Sequence, residues 1–115
     1  MRSLNLLVLR SPDIERARLF YEVLGMTFIR HAHGAGPEHY AHQDERGVFE
    51  IYPAKQAEGG GGGGDKTGLG FAVADLADMR EKLAAYQPQP ISDGEGGRTF
   101  VVRDPDGRRV EVKQV

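Results

Sequence analysis

The sequence predicts an α+β protein built from two copies of one βαβββ module. Three observations support this prediction. Short apolar runs alternate with two helix-like segments, the order of one strand, one helix and three strands occurs twice, and a glycine-rich stretch separates the copies. We place the first module at residues 1–53, the linker at 54–66 and the second module at 67–115 of a single 115-residue domain. We expect mixed, curved sheets that form a pocket between the modules.

The first module opens with a strand and a helix. Leu4 to Leu9 is a nearly continuous apolar run, short enough for a buried strand. Ser11, Pro12 and Asp13 predict a helix start, with a hydroxyl cap, a proline in the first turn and an acid near the positive end of the helix dipole. Gly25 lies where a left-handed residue ends a helix. The apolar positions of this helix are Ile14, Ala17, Phe20, Tyr21 and Leu24.

Three further strands complete the first module. We predict them at residues 26–33, 38–43 and 48–52, with turns at 34–37 and 44–47 where glycine, proline and acidic residues cluster.

These turns set a predicted register for the sheet. His39 would face Tyr52 and Arg30 would face Ala41, because side chains alternate between the two faces of a strand. One face would then carry Arg30, His39, Glu50 and Tyr52. The opposite face would carry His31 and His33, which we interpret as exposed edge residues, although their spacing is also one that can bind a metal.

The linker and the second module follow the same order. Six consecutive glycines within 54–66 predict coil, because they have no side chains to bury. A strand is predicted at residues 67–73. Asp75 can cap a helix that continues until Pro88 and Pro90 stop it. Ile91 is predicted to begin a short edge strand.

A hairpin over residues 100–112 closes the chain. Asp104, Pro105 and Gly107 are typical of a tight turn, which predicts that Arg103 pairs with Arg108. One face would then carry Phe100, Val102, Arg109 and Glu111. The other would carry Val101, Val110 and Val112, and we expect it to be the core side.

Both modules end in a strand with a central carboxylate. Glu50 follows Asp13 at nearly the same interval as Glu111 follows Asp75. Two copies of a module with one carboxylate each predict a pocket that both copies line. We therefore consider Glu50 and Glu111 as candidate catalytic groups, with His39 assisting.

Composition excludes several classes of function. The formal net charge of -2 and a pI near 6.1 predict no nucleic-acid partner. We see no membrane-spanning run and no signal-peptide pattern, so we expect no membrane partner. The absence of cysteine excludes disulfides and thiolate chemistry and agrees with a cytoplasmic location.

Three motifs carry a resemblance to a known family. They are the helix region 11–25, the strand and helix start at 70–76, and the ending at 104–112 with its Asp-Pro-Asp-Gly turn. In this order and spacing, the chain resembles the vicinal oxygen chelate superfamily, which includes glyoxalase I, bleomycin-resistance proteins and extradiol dioxygenases. The resemblance implies a glyoxalase-like fold, but no single activity.

The resemblance also implies where a metal would bind. Glyoxalase I uses two histidines and two glutamates on the first and last strands of each module. The glutamates correspond to Glu50 and Glu111, whereas the histidine positions fall on Leu6 and Leu69. Leucine cannot bind a metal, so we favour no cofactor and expect a degenerate site, while a divalent metal stays possible.

We predict a ligand-binding set from both modules. Arg30 is the expected partner of Glu50, and Arg98 or Arg109 that of Glu111, because an unpaired buried carboxylate is costly. Aromatic side chains would form apolar walls. The full predicted set is Arg30, His39, Glu50, Tyr52, Phe71, Phe100, Arg109 and Glu111.

Three functions are compatible with these residues. The first, which we favour, is a metal-independent protein that sequesters a small-molecule ligand. The second is a lyase, isomerase or dioxygenase-like enzyme that uses Glu50 or Glu111. The third is a structural module with a vestigial pocket. We also expect a homodimer, because a module of this size has a marginal core.

Overall fold

The computed structural model describes residues 2–55, 65–91 and 98–115. They belong to two compact units, Met1–Gly62 and Gly63–Val115, each with one α-helix and one four-stranded mixed sheet. This confirms the predicted α+β class and the repeated βαβββ order. The six-glycine run, for which we predicted coil, lies outside the described residues.

The first unit follows the predicted order with shifted boundaries. Its strands form a sheet of order β1-β4-β3-β2, in which β1 and β4 are parallel and the other pairs antiparallel. The elements are β1 (Leu6–Ser11), α1 (Ile14–Val23), β2 (Ile29–His31), β3 (His39–Asp44) and β4 (Gly47–Pro53).

The cap of helix α1 lies two residues later than predicted, at Asp13 instead of Ser11. Asp13 is the N-cap and accepts a 3.1 Å hydrogen bond from the backbone N–H of Arg16. The Ser11 hydroxyl instead bonds the backbone of Asp13, which fixes the chain before the helix. Gly25 follows the helix with φ of 105°, in the left-handed region, as predicted for a C-terminal glycine.

Helix α1 covers one face of the first sheet. Phe20 and Tyr21 are fully buried, and the Tyr21 ring lies 5.1 Å from the ring of Phe49 on β4. The opposite face, which we call the open face of sheet 1, keeps apolar side chains in solvent, with Leu6 51% and Ile29 63% exposed. The core residues are Leu9, Ala17, Phe20, Tyr21, Leu24, Phe28, Tyr40, Phe49 and Ile51.

The second unit repeats this arrangement. Its sheet has the order β5-β8-β7-β6, with β5 and β8 parallel. The edge strand precedes the position predicted for it, because Pro90 rather than Ile91 pairs with Phe100. The elements are β5 (Gly68–Val73), α2 (Leu76–Lys82), a 3-10 turn (Ala84–Tyr86), β6 (Gln89–Pro90), β7 (Thr99–Arg103) and β8 (Arg109–Gln114). Neither α1 nor α2 has the length and apolar character that a bilayer span requires.

The register predicted for the final hairpin was wrong by one residue. Arg103 pairs with Arg109 rather than Arg108, because Arg108 belongs to the loop and its carbonyl accepts a 3.0 Å bond from the N–H of Asp104. The core face therefore carries Phe100, Val102, Val110 and Val112. The opposite face, which we call the open face of sheet 2, carries Val101, Arg109 and Glu111, together with Gly68, Gly70 and Ala72 from β5.

Arg108 enters the loop because it is held by carboxylates. Its side chain is 1% exposed, and its guanidinium lies 3.0 Å from Asp104 and 2.9 Å from Asp65. Asp104 also accepts bonds from the backbone N–H groups of Asp106 and Arg108. The turn is therefore built around a buried ion pair that also holds Asp65, the first residue of the described range 65–91.

We predict that Asp104→Ala destabilises the protein strongly. Removing Asp104 takes away the buried partner of Arg108 and two hydrogen bonds of the turn, while Asp65 and Asp106 still face the guanidinium, so the loss should be about 2–3 kcal/mol of unfolding free energy. Arg103→Ala, at an exposed position of the same hairpin, should change it by less than about 0.5 kcal/mol. Urea unfolding of the two variants measures the difference, and similar losses would contradict this role of the Arg108 pair.

Candidate functional site

A row of planar side chains crosses the open face of sheet 1. Arg10 is paired with Tyr52, and His31 with His39, so that all four strands contribute one group. The rings of Tyr52 and His39 stack with centroids 4.0 Å apart and an angle of 8°. The Arg10 guanidinium carbon lies 5.2 Å from the Tyr52 ring centre, and the rings of His31 and His39 are 5.8 Å apart. The closest contact of the row is therefore at its centre, between Tyr52 and His39.

His39 is held in one orientation. It is 1% exposed, and its Nδ1 lies 3.3 Å from the carbonyl oxygen of Pro37. A carbonyl oxygen only accepts, so Nδ1 must be the protonated nitrogen for this bond to form. The other nitrogen, Nε2, is buried and has no hydrogen-bond partner in the part of the chain that the structure describes. His39 therefore offers a lone pair at Nε2 when it is neutral.

Glu50 faces this nitrogen. Its Oε2 lies 3.4 Å from His39 Nε2, which is close enough for an ion pair but lacks the alignment of a hydrogen bond. The residues aligned with Glu50 across the sheet are apolar: Val8 on β1 and Ala41 on β3, followed by Ile29 on β2. The Glu50 side chain is 19% exposed. A carboxylate and an imidazole thus meet at the edge of an apolar surface.

The structure separates Arg30 from this group. Arg30 pairs with Tyr40 rather than Ala41, and so lies on the helix-covered side of the sheet. It forms a 2.6 Å ion pair with Glu38. The prediction failed because His31 pairs with His39, which shifts the strand by one residue and exchanges its faces.

The same shift brings two further histidines to the site. His31 and His33, predicted on the opposite face, have ring centroids 5.8 and 5.3 Å from that of His39. The His-x-His pattern and the nearby third histidine were the available signal in the sequence. Among residues 2–55, 65–91 and 98–115, no three side chains of metal-ligating type are placed to hold an ion.

On the helix side, Tyr40 and Glu15 form a separate polar contact. Tyr40 donates its hydroxyl hydrogen to the Glu15 carboxylate, and Arg18 binds the same carboxylate at 2.8 Å. These two bonds lower the pKa of Glu15, the Tyr40 bond contributing most. The bond to Glu15, followed by burial, raises the pKa of Tyr40. This contact joins α1 to β3 and is not part of the open face.

The open face of sheet 2 contains a groove beside Glu111. The cavity has a volume of about 480 Å³, and a neighbouring one of about 360 Å³ shares Gly70 and Glu111. Arg109 lies 3.1 Å from Glu111, an arginine pairing that the sequence predicted for this glutamate. The larger cavity is lined by Gly70, Phe71, Ala72, Ile91, Thr99, Glu111 and Lys113.

The two aromatic residues predicted as pocket walls, Phe71 and Phe100, lie in different surroundings. Phe71 borders the larger cavity, whereas Phe100 is 1% exposed and belongs to the core. The groove exists instead because β5 has small residues on its open face. A Cβ atom added at Gly68 or Gly70 would meet no atom within 4 Å.

The register also corrects one of the two positions assigned to metal-ligating histidines. Leu6 pairs with the residue two before Glu50, and Gly68 pairs with the residue two before Glu111. Gly68, rather than Leu69, is therefore the equivalent of Leu6, and Leu69 pairs with Val110 of the core face. Neither leucine nor glycine has a side chain that binds metal, so these residues do not fit the metal that glyoxalase I holds.

This fold places the chain in a class of proteins with paired βαβββ modules. The chain belongs to the glyoxalase/bleomycin resistance protein/dioxygenase superfamily, whose family model matches residues 3–112. No curated protein gives a significant match to the sequence.

Solved structures with the same fold have diverse descriptions. An integron cassette protein from the mobile metagenome of V. cholerae is 26% identical, with a TM-score of 0.67 and coverage of 99% of this chain and 95% of the other. TnmS3, an antibiotic binding protein from Streptomyces sp. CB03234, is 18% identical, with a TM-score of 0.73 and coverage of 99% and 96%. A lactoylglutathione lyase from Agrobacterium tumefaciens is 17% identical, with a TM-score of 0.67 and coverage of 97% and 92%. Proteins described as an antibiotic binding protein and as a lyase thus share this fold.

Proposed function

We propose that this chain is a small-molecule binding protein of the sequestration type that works without the metal of glyoxalase I. The observation that carries the proposal is the pair Leu6 and Gly68 at the two equivalent first-strand positions. A tetrahedral or octahedral transition-metal site needs several nitrogen, oxygen or sulfur ligands, and these two positions supply none. Binding would instead depend on the open faces of the two sheets.

The groove of sheet 2 supports this proposal. Its volume of about 480 Å³ lies within the usual range for small-molecule sites. Gly70 provides space beside the strand backbone, Ile91 provides apolar surface, and Lys113 and Glu111 provide charged groups at its border. A few polar groups around an apolar groove are the usual composition of such sites.

A lyase or isomerase is the second candidate, and the His39–Glu50 contact favours it. A neutral imidazole with its Nδ1–H held by a carbonyl has a free lone pair that can accept a proton from a substrate. A dioxygenase-like activity has no comparable support, because the described residues provide no ready metal site. The two candidates differ in one outcome: a sequestering protein releases its ligand chemically unchanged.

We also propose a homodimer, with exposed apolar surface as the supporting observation. Leu4, Leu19 and Val115 are 77%, 52% and 84% exposed within one chain. Sedimentation at micromolar concentration should give close to twice the chain mass of 12.6 kDa. A monomer over that range would refute this proposal. The cytoplasmic location stays a prediction from composition.

We predict that filling the groove of sheet 2 weakens ligand binding without unfolding the protein. Gly70→Val adds a branched side chain in open space on a strand, where valine is well tolerated. Anilinonaphthalene sulfonate, an apolar anionic dye suited to Lys113, should bind wild-type protein in a chelator-containing buffer. Its affinity for Gly70→Val should fall by about tenfold, the effect of losing roughly 1.4 kcal/mol of contact.

Ala74→Val is the matched control, because Ala74 is exposed and follows the same strand without lining the groove. It should leave the affinity for the dye unchanged, and both variants should keep the wild-type melting temperature. Dye binding that requires added metal, or that Gly70→Val does not affect, would contradict the proposal.

A further inference from the structure

We propose that the open face of sheet 1 recognises a ligand with an apolar body and a protonated amine, whose ammonium group binds the Glu50 carboxylate beside His39. This inference rests on the proposed binding function and names a ligand class for the first unit. It is carried by a partly exposed carboxylate that faces a buried acceptor nitrogen.

The first step is the identity of these two acceptors. Because His39 Nδ1 donates to the carbonyl of Pro37, a neutral His39 has only a lone pair at Nε2. This atom lies 3.4 Å from an oxygen of Glu50, which as a carboxylate also only accepts. Two acceptors at this distance repel each other unless a donor lies between them. A primary ammonium that binds the partly exposed Glu50 carboxylate supplies the missing donor and relieves this repulsion.

The second step is the charge. His39 is the ion-pair partner of Glu50 among the described residues, and a neutral imidazole cannot balance a carboxylate. Glu111 of the second unit, in contrast, has a guanidinium 3.1 Å away. A carboxylate in apolar surroundings is costly without a cation, and charge-assisted hydrogen bonds are stronger than neutral ones. These facts favour an amine cation over an alcohol or an amide.

The third step is the apolar body of the ligand. The residues next to Glu50 on β1 and β2 are Val8 and Ile29, which are 37% and 63% exposed. Leu6 extends the same surface along β1 and is 51% exposed. A flat hydrophobic group resting here would remove apolar surface from water while its amine reaches Glu50.

The pair also predicts competition with protons. When His39 is protonated, Nε2 becomes a donor to Glu50 and takes the place of the ligand's N–H group. The affinity for the amine should therefore fall as the pH is lowered. The other titratable or charged groups on this side of the sheet are Arg10, Tyr52, His31 and His33, and protonation of the two histidines acts in the same direction.

A set of four naphthalene probes tests the inference on the full chain. They are 1-naphthylmethylamine, its N,N,N-trimethyl derivative, 1-naphthalenemethanol and 1-naphthoate, which share one apolar body. The primary amine should bind about tenfold or more tightly than the other three, since it alone combines charge with N–H donors. Its affinity, measured over a pH series, should fall as the pH is lowered.

Two variants locate the effect. Glu50→Gln should reduce the affinity for the primary amine about tenfold and leave that for 1-naphthalenemethanol unchanged. Glu45→Gln is the matched control and should change neither, because Glu45 is an exposed residue of the turn between β3 and β4. Melting curves establish that both variants fold.

Several results would overturn the inference. Tightest binding of 1-naphthoate would assign the face to an anion attracted by Arg10 and the histidines. Equal binding of all four probes, or an equal effect of Glu50→Gln and Glu45→Gln, would remove the role of the pair. Binding of none of the four probes would also overturn the inference. The dye experiment on Gly70 tests the binding function independently of all these outcomes.

Discussion

The arrangement of this protein depends on one constraint: within the described parts of the chain, each four-stranded sheet has two faces and a single α-helix packs against it. In the first unit, α1 covers the side with Phe49 and Ile51. Because side chains alternate along a strand, every second residue lies on the uncovered face. Leu6, Val8 and Ile29 remain exposed there, although buried apolar residues would stabilise the fold. Such a surface is typical of binding sites.

The two modules use the open face differently. In the first, Glu50 meets a buried imidazole whose Nε2 has no hydrogen-bond partner among the described residues. In the second, Glu111 is exposed and paired with Arg109, beside a groove that Gly68 and Gly70 leave empty. A repeated scaffold with glutamates at equivalent positions therefore gives two distinct chemical environments.

The sequence was sufficient for the fold because its signals are local. Apolar periodicity, the acidic helix starts at Asp13 and Asp75, and Gly25 each determine an element from neighbouring residues. The repeat then gave the topology, and the glutamate positions followed from it. The position of His39 opposite Tyr52 could also be predicted, since a short turn connects their strands, and the two rings stack in the structure.

The sheet registers were harder to predict from the sequence, because they depend on contacts between residues that are not neighbours in the sequence. The sequence pattern predicts Arg108 as a strand residue, whereas in the structure Asp104 and Asp65 hold it in the loop. Similarly, the pairing of His31 with His39 depends on how residues 32–38 cross between strands. Each one-residue shift exchanged the faces of a strand, which moved Arg30 and Phe100 away from the candidate site and brought His31 to it.

The central claim is that binding by this chain does not use the metal positions of glyoxalase I. Calorimetric titration of Ni, Zn, Mn and Fe(II) into tag-free protein, first stripped with chelator, tests it most directly. We expect no stoichiometric binding at micromolar concentrations, because the equivalent first-strand positions hold Leu6 and Gly68. One equivalent of metal bound at micromolar or tighter affinity, and lost in both Glu50→Gln and Glu111→Gln, would contradict the claim.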